Sequence, residues 1–233
     1  GGGGQKAAAN TAAAPKARVS EPFVANTDKD MKTLVDGLAK VENHKQIAES
    51  LNMTFDKLGE KGFQRFFDCL TDLVLNNDPR VRPPSVSPYL QIVKLLNDKW
   101  YQAMRKAVTP KLLKLLTVKR PVDVDRQEVL HVSDVFAVLV QIELVAMSGA
   151  ATTIAMLLQK PDNRAAAVTM LGKTVNKCGQ QLLSLEPKEL QKLRDAFEVV
   201  HEPCFEYDCN YIRKSLDWPK AAAAAAAAAP PAA

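Results

Sequence analysis

Residues 63–75, FQRFFDCLTDLVL, show the pattern that decides the fold of this chain. Their large apolar side chains recur every three or four positions, at Phe63, Phe66, Phe67, Leu70, Leu73 and Val74. That spacing places the apolar side chains on one side of an α-helix and the polar side chains on the other. The stretch therefore predicts an amphipathic helix whose apolar side packs against further helices.

The same period continues through most of the chain between residues 28 and 218. It predicts about nine or ten helices joined by short connections, and no stretch shows a convincing strand pattern. The predicted fold class is therefore all-α. Successive antiparallel helical hairpins, each with one apolar face, favour a HEAT-like α-solenoid, with an irregular helical bundle as the alternative architecture.

Helix-capping and helix-breaking residues predict where individual helices begin and end. We expect a first helix that is capped by Thr27-Asp28 and reaches Val41, and a second helix that is ended by Gly59 and Gly62. A long helix from Tyr89 to Ala107 should be followed by a short one that is opened by Thr109-Pro110. An apolar helix should run from Val129 and end at Gly149, and two further helices should start at Glu186-Pro187 and at Glu206. A proline-rich loop lies between Pro79 and Pro88.

Composition divides the chain into three parts. Residues 1–18 and 221–233 have no large aliphatic or aromatic side chain, so neither can bury enough apolar surface to offset the entropy of ordering it. We expect a flexible Gly/Ala-rich tail at 1–27, a single helical-repeat domain at 28–218 and an Ala/Pro-rich tail at 219–233. No run of about 18 apolar residues occurs, so no membrane span is predicted.

The cysteines bear on the compartment. There are 4, at positions 69, 178, 204 and 209, and the first two lie inside helical patterns. Such an arrangement suits reduced thiols, and we expect the protein to be cytoplasmic. A mitochondrial or chloroplast location is the alternative, since the acid-free start of the chain could be the remnant of a transit peptide.

Gly172-Lys173-Thr174 matches the last three residues of a phosphate-binding P-loop. The motif requires another glycine five positions before Gly172, where this chain has Ala167, and a strand before the loop. We therefore expect a helix here, with Leu171, Val175 and Cys178 facing inward and Gly172 permitting a close approach of a neighbour. Because no other catalytic pattern is present, we expect neither an enzyme nor a small-molecule substrate or cofactor.

His201, Cys204 and Cys209, in HEPCFEYDC, are candidate zinc ligands. Structural zinc sites use four ligands, usually with paired short spacings, and a convincing fourth ligand is missing here. Asp208 is adjacent but is a weak candidate. We therefore expect an ordinary turn between helices and no metal.

Basic residues are concentrated between positions 99 and 120, without an intervening acid. They are Lys99, Arg105, Lys106, Lys111, Lys114, Lys119 and Arg120. Trp100 and Tyr101 lie at the edge of this stretch, and Arg80 and Arg82 lie in the preceding loop. Such a pattern predicts contact with RNA or an acidic partner, through phosphates and, where an aromatic ring is exposed, through stacking.

Two simpler explanations of this stretch stay open. The lysines could form a solvated helix face, or they could complement carboxylates on a facing helix. The carboxylates available for that role are Asp123, Asp125, Glu128, Asp134 and Glu143. The formal net charge of +5 favours association with anions but does not specify a fold or a partner.

The order of helices in residues 132–200 resembles a known family. In VSDVFAVLVQIELVAMSGAATTIAMLLQKPDNRAAAVTMLGKTVNKCGQQLLSLEPKELQKLRDAFEVV, a helix ends in a small turn, the next ends in LLQK, and a third contains MLGK. FQRFFDCLTDLVL and SPYLQIVKLL resemble earlier helices of the same family. The chain is thus similar to the middle domain of eukaryotic translation initiation factor 4G, a stack of HEAT-type hairpins. It departs from that pattern at the proline-rich loop of residues 79–88.

The resemblance implies a non-enzymatic scaffold that docks a DEAD-box RNA helicase and touches RNA, in translation initiation or mRNA metabolism. It assigns no individual contact residue in this chain. Two alternative functions remain, namely an organellar RNA-binding or ribosome-associated helical-repeat protein, and an architectural subunit of a large complex.

Overall fold

The computed structural model describes residues 21–76, 78–117 and 126–218, and these residues contain ten α-helices and no strand. The helices are α1 Asp28–Gly37, α2 His44–Leu58, α3 Glu60–Val74, α4 Ser87–Gln91, α5 Asp98–Thr117, α6 Arg126–Gln141, α7 Met147–Leu158, α8 Arg164–Leu183, α9 Pro187–Glu198 and α10 Glu206–Leu216. Short 3₁₀ turns at Val41–Asn43, Ile92–Leu95, Pro161–Asn163 and Pro203–Phe205 precede four of the helices. The predicted all-α class is confirmed.

Helix α1 begins where the sequence predicts but ends earlier. Thr27 and Asp30 form a capping box, in which the Thr27 side chain accepts from the Asp30 N–H and the Asp30 carboxylate accepts from the Thr27 N–H. The helix ends at Gly37, so Val41 lies in a 3₁₀ turn and is 58% exposed. The prediction that the first helix reaches Val41 is therefore wrong.

The chain before α1 lies against α2 in an extended conformation. The Phe23 N–H donates to the Ser50 hydroxyl at 3.1 Å, and the Ala25 N–H donates to the Thr54 hydroxyl at 2.9 Å. Ser50 and Thr54 are one helical turn apart, so alternate residues of the extended segment meet successive turns of α2. The sequence analysis assigned residues 1–27 to a tail, but these contacts place residues 23–26 against the folded domain.

The junction between α2 and α3 needs only one of its two glycines as a helix terminator. Gly59 has a φ of 58° and follows the last residue of α2, as predicted. Gly62 lies inside α3, so its predicted role as a terminator is wrong. A Cβ at Gly62 would lie 3.1 Å from the Leu58 Cβ and 3.2 Å from the Thr54 carbonyl oxygen, so its small size allows α2 and α3 to pack closely.

The sequence predicts one helix from Tyr89 to Ala107, but the structure divides this region into three elements. Helix α4 passes into the 3₁₀ turn, the backbone becomes extended at Leu96, and α5 begins at Asp98. The predicted start of a new helix at Thr109-Pro110 is also wrong, because Pro110 lies inside α5. Val108 and Leu112, on either side of this proline, are buried, so core packing opposes the helix-breaking effect of about 3 kcal/mol.

Helix α6 ends at Gln141, before the predicted end near Gly149, and Gly149 lies inside α7. A Schellman motif ends α6, in which the Leu144 N–H bonds to the Leu139 carbonyl and the Glu143 N–H to the Val140 carbonyl. Glu143 occupies the left-handed position of this motif, with a φ of 64°. Because glycine usually holds that position, the sequence contained no local signal for this end.

Helices α6, α8 and α10 of the second half pack in sequence, α8 on α6 and α10 on α8. Asp134 and Ala137 of α6 contact, in that order, Lys177 and Cys178 of α8, so α6 and α8 are parallel. Helix α10 also packs on α8, where Gly172 lies near Ile212 and the Asn176 side chain accepts a hydrogen bond from the Tyr211 hydroxyl. Helix α7 packs on α8 and on α9.

The buried apolar side chains form one cluster that extends from Ala25 to Trp218. Helix α6 contains the longest run of buried residues in the described ranges, because residues 135–140 are each at most 2% exposed. In the first half, Phe55, Phe63, Phe66 and Trp100 join α2, α3 and α5, with ring centroids 5.2 to 5.8 Å apart. No helix in the described ranges is long and apolar enough to cross a membrane.

Candidate nucleic-acid interface

Helix α5 presents a row of lysines to solvent. Lys99, Lys106 and Lys114 are exposed and are seven and eight residues apart, which is about two turns each, so they lie on the same side of the helix. The only acid of α5 is Asp98, at its start. In the part of the chain that the structure describes, neither Lys106 nor Lys114 has a carboxylate partner. We call these three lysines the α5 basic face.

Arg105 is also exposed, but it lies beside this face. It lines a cleft between the start of α5 and the end of α6, together with Tyr101 and Glu143. The Tyr101 hydroxyl donates to the Glu143 carbonyl at 3.0 Å and so fixes one side of the cleft. Arg105 therefore adds positive charge at the edge of the α5 basic face.

Lys111 does not belong to the α5 basic face, although the sequence grouped it there. It is half-buried, and its Nζ donates to the Thr71 hydroxyl at 2.6 Å and lies 5.3 Å from the centre of the Phe67 ring. These contacts attach α5 to α3. The role of Lys111 as an RNA contact is thus replaced by a structural one.

Trp100 cannot stack on a base. It is 3% exposed and packs on the Phe63 ring, with centroids 5.6 Å apart and planes nearly parallel. The Lys99 ammonium lies 4.5 Å from the centre of the Trp100 ring, at the solvent end of this cluster. The Trp100 ring therefore supports Lys99 and is not available to a ligand.

The two loop arginines hold the loop together. The Arg80 guanidinium makes two hydrogen bonds to the Asp78 carboxylate, at 2.9 and 3.0 Å, and this holds the pKa of Asp78 below its usual range. The Arg82 Nε donates to the Asn76 carbonyl. Both are thus engaged locally, while Lys119 and Arg120, the last two predicted site residues, lie outside the described residues.

The facing carboxylates do not neutralise the α5 basic face in the described part of the chain. Asp134 turns toward α8, where its carboxylate lies 3.4 Å from the Lys177 ammonium and 4.0 Å from that of Lys173. Glu143 is exposed at the cleft of Arg105. Asp123 and Asp125 lie outside the described residues. The lysines of the α5 basic face are therefore left to solvent or to an anionic ligand.

The structure places Gly172-Lys173-Thr174 inside α8, with Leu171, Val175 and Cys178 buried as predicted. The prediction that Gly172 permits a close approach is wrong, because an added Cβ would meet only the Ile212 Cδ1, at an ordinary 3.9 Å. The backbone N–H groups of Gly172, Lys173 and Thr174 are part of a helix and do not form a phosphate-binding loop.

The three candidate zinc ligands are not brought together. His201 and Cys204 are exposed, whereas Cys209 faces the core from α10 and burial raises the pKa of its thiol. Zinc binding requires the thiolate, which burial disfavours. Among the residues that the structure describes, no group of three or more His, Cys, Asp or Glu side chains could hold a metal ion.

The sequence reasoning missed one group of surface residues. Tyr207 and Tyr211 on α10 are 83% and 41% exposed and line a groove against α8. The signal for them was their spacing of four, on the side of α10 opposite to its buried residues Cys209, Ile212 and Leu216.

Comparison of the chain with protein-family models, with curated proteins and with solved structures found no match.

Proposed function

We propose that this chain is a non-enzymatic helical scaffold that contacts RNA through the α5 basic face. The observation that carries the proposal is the row of Lys99, Lys106 and Lys114, which is exposed and, in the described part of the chain, lacks a carboxylate beside Lys106 and Lys114. These lysines extend over about 22 Å of helix, at 1.5 Å per residue. A row of ammonium groups of that length suits the repeated phosphates of a nucleic-acid strand.

We infer that the helices form an α-solenoid within one domain. The parallel arrangement of α6 and α8, with α10 also packed on α8 and with α7 packed on both α8 and α9, is typical of stacked hairpins. The most extensive contacts join helices that are no more than two positions apart in the helix order. An irregular bundle is the alternative, and it would also bring distant helices of the chain together.

The finer proposal is that the scaffold docks a DEAD-box helicase and acts in translation initiation or mRNA metabolism in the cytoplasm. It rests on the resemblance of residues 132–200 to the middle domain of translation initiation factor 4G. Among the helices that carry that resemblance, α8 packs on α6 and on α7, and α7 packs on α9. An organellar or ribosome-associated RNA-binding protein and an architectural subunit remain the competing functions.

The RNA contact is tested by the salt dependence of binding. We would measure the anisotropy of a fluorescein-labelled 12-nucleotide oligouridine over a salt series, for the unaltered chain and for Lys106→Gln/Lys114→Gln. Loss of two phosphate contacts should weaken binding and reduce the slope of log K against log salt by about 1.4, at about 0.7 per contact. The matched control is Lys188→Gln/Lys192→Gln, which removes two exposed lysines of α9.

Equal slopes for both double variants would contradict the role of the α5 basic face. The helicase is tested separately by capture of a purified DEAD-box helicase on the immobilised chain, without RNA. Helicase capture supports the scaffold. RNA binding without helicase capture favours the organellar or ribosome-associated alternative, and the absence of both favours the architectural subunit.

A further inference from the structure

Within the described residues, the exposed tyrosine rings lie in one place. Of the Phe, Tyr and Trp residues in the described ranges, only Tyr207 and Tyr211 are exposed, at 83% and 41%. They are four residues apart on α10 and therefore lie on the same side of it. Large rings are usually withdrawn into the core, so two rings in one exposed groove indicate a surface that meets a ligand.

The side of α10 that carries these rings also carries an amide and a lysine. Asn210 and Lys214 are exposed and lie three and seven positions after Tyr207, which places all four side chains in one row along the helix. No carboxylate occupies a position in this row. Asp208 lines the groove at the end of the row away from Lys214.

The opposite wall of the groove is α8. The Tyr211 hydroxyl donates to the Asn176 Oδ1 at 3.3 Å, which ties one ring to that wall. Lys173 also lines the groove, and it shares the Asp134 carboxylate with Lys177, so two ammonium groups face one carboxylate and a positive charge remains. Gly172 leaves the space between the walls open, since only the Ile212 Cδ1 lies within 4 Å of where its Cβ would be.

We propose that the groove between α8 and α10 binds the bases of single-stranded RNA, with Tyr207 and Tyr211 as stacking platforms. Asn176 and Asn210 supply amides that can meet base edges, and Lys173 and Lys214 supply charge for the adjoining phosphates. This inference rests on the proposed RNA contact and adds to it a site that holds bases, whereas the α5 basic face holds phosphates alone. Rings combined with amides and ammonium groups favour a nucleotide over a protein partner, which would need a larger continuous apolar area.

The groove is separated from the α5 basic face by α6 and α8, each of which packs on the next. At about 8–10 Å between neighbouring helix axes, three such steps put the axis of α10 at most about 25–30 Å from that of α5. A strand that contacts both places therefore falls within the site size of about 4–16 nucleotides that single-strand binding surfaces use. A 12-nucleotide probe suits both places.

The test separates bases from phosphates. We would measure binding of labelled 12-nucleotide oligouridine and of an abasic 12-mer with the same backbone, to the unaltered chain, Tyr207→Ala/Tyr211→Ala and Tyr207→Phe/Tyr211→Phe. Loss of the rings should weaken oligouridine binding about tenfold or more and leave abasic binding unchanged, whereas phenylalanine should retain most of the affinity. The control Met156→Ala removes an exposed apolar side chain from the groove between α7 and α9 and should change neither.

A second measurement distinguishes failure of this inference from failure of the α5 basic face. Oligouridine carrying 5-iodouridine should crosslink to Tyr207 or Tyr211, and mass spectrometry should locate the adduct on α10. If the alanine variant binds oligouridine as well as the unaltered chain does, and no adduct forms on α10, the inference is overturned while the α5 basic face stands. A protein that binds the unaltered chain but not the alanine variant, with RNA binding unchanged, would likewise overturn it in favour of a protein partner.

Discussion

Gly62 and Gly172 both lie inside helices but have opposite surroundings. A Cβ at Gly62 would be 3.2 Å from the Thr54 carbonyl oxygen, which belongs to the backbone of α2, whereas a Cβ at Gly172 would meet only the Ile212 Cδ1 at 3.9 Å. We expect Gly172→Ala to raise the free energy of unfolding by about 0.5–1 kcal/mol, because alanine loses less conformational entropy than glycine in a helix.

Gly62→Ala is the matched comparison, and we expect it to lower the free energy of unfolding, because the gain in helix propensity is outweighed by displacement of α2. Urea titrations of both variants, followed by circular dichroism, measure the two changes. If both substitutions stabilise the protein to the same extent, the close packing of Gly62 is contradicted.

Glu143 has an unfavourable backbone conformation, and its side chain makes no hydrogen bond or ion pair with the described residues that would offset the cost. It holds a φ of 64° after the end of α6, and its own carbonyl accepts the Tyr101 hydroxyl. The left-handed conformation costs a non-glycine residue about 1 kcal/mol or more. We expect Glu143→Gly to raise the free energy of unfolding by about 0.5–1 kcal/mol, as measured by thermal and urea denaturation.

Glu143→Ala is the control for the side chain, since it keeps the backbone cost. If the alanine and glycine variants are equally stable, the left-handed conformation is not the source of the effect. The β-branched variant Glu143→Val should be the least stable of the three.

At the scale of elements, Arg164 connects the start of α8 to the end of α7 and to the segment that precedes α10. Its Nε donates to the Leu158 carbonyl at the end of α7, and its NH1 lies 2.6 Å from the Glu202 carboxylate, in the turn that precedes α10. The side-chain hydrogen bond from Arg164 is the main cause that lowers the pKa of Glu202. Because the folded pKa is the lower one, the ion pair stabilises the protein above the unfolded pKa of about 4.3 and loses this effect as the pH falls through the folded value.

We therefore expect Glu202→Gln to destabilise the protein at pH 7 and to have a smaller effect at pH 3. The difference at pH 7 should be below about 1 kcal/mol, because the Glu202 side chain is 35% exposed and water screens the pair. Urea titrations at both pH values measure it, with the exposed Glu42→Gln as the control. A difference that grows toward low pH would contradict the ion pair.

At the scale of the whole molecule, the arrangement predicts an uneven distribution of local stability. Residues 135–140 of α6 are almost completely buried, and α6 packs on helices both before and after it. In stacked hairpins the terminal helices lose a neighbour on one side. We expect native-state hydrogen exchange, followed by mass spectrometry, to be slowest in α6 and α8 and faster toward α1 and α10.

Exchange of equal rate in all ten described helices would instead indicate a compact bundle that unfolds as a single unit. This experiment therefore separates the two architectures that the sequence left open.

The amino-acid sequence alone determined the helical class, the buried faces of helices such as α3, and the ends marked by strong local signals. The cap at Thr27, the start of α9 after Glu186 and the start of α10 at Glu206 are all correct, because caps and periodicity act within a few residues. The exposed charge on Lys106 and Lys114 was also predictable, since an unpaired ammonium group remains in water.

Only the tertiary structure decided which residues meet across the fold. It continues α5 through Pro110, buries Trp100 among phenylalanines, and commits Lys111 to Thr71. It also leaves Tyr207 and Tyr211 in an open groove against α8. These outcomes depend on partners that lie far apart in the sequence, whose packing and desolvation energies exceed the local preferences of about 1–3 kcal/mol from which a sequence is read.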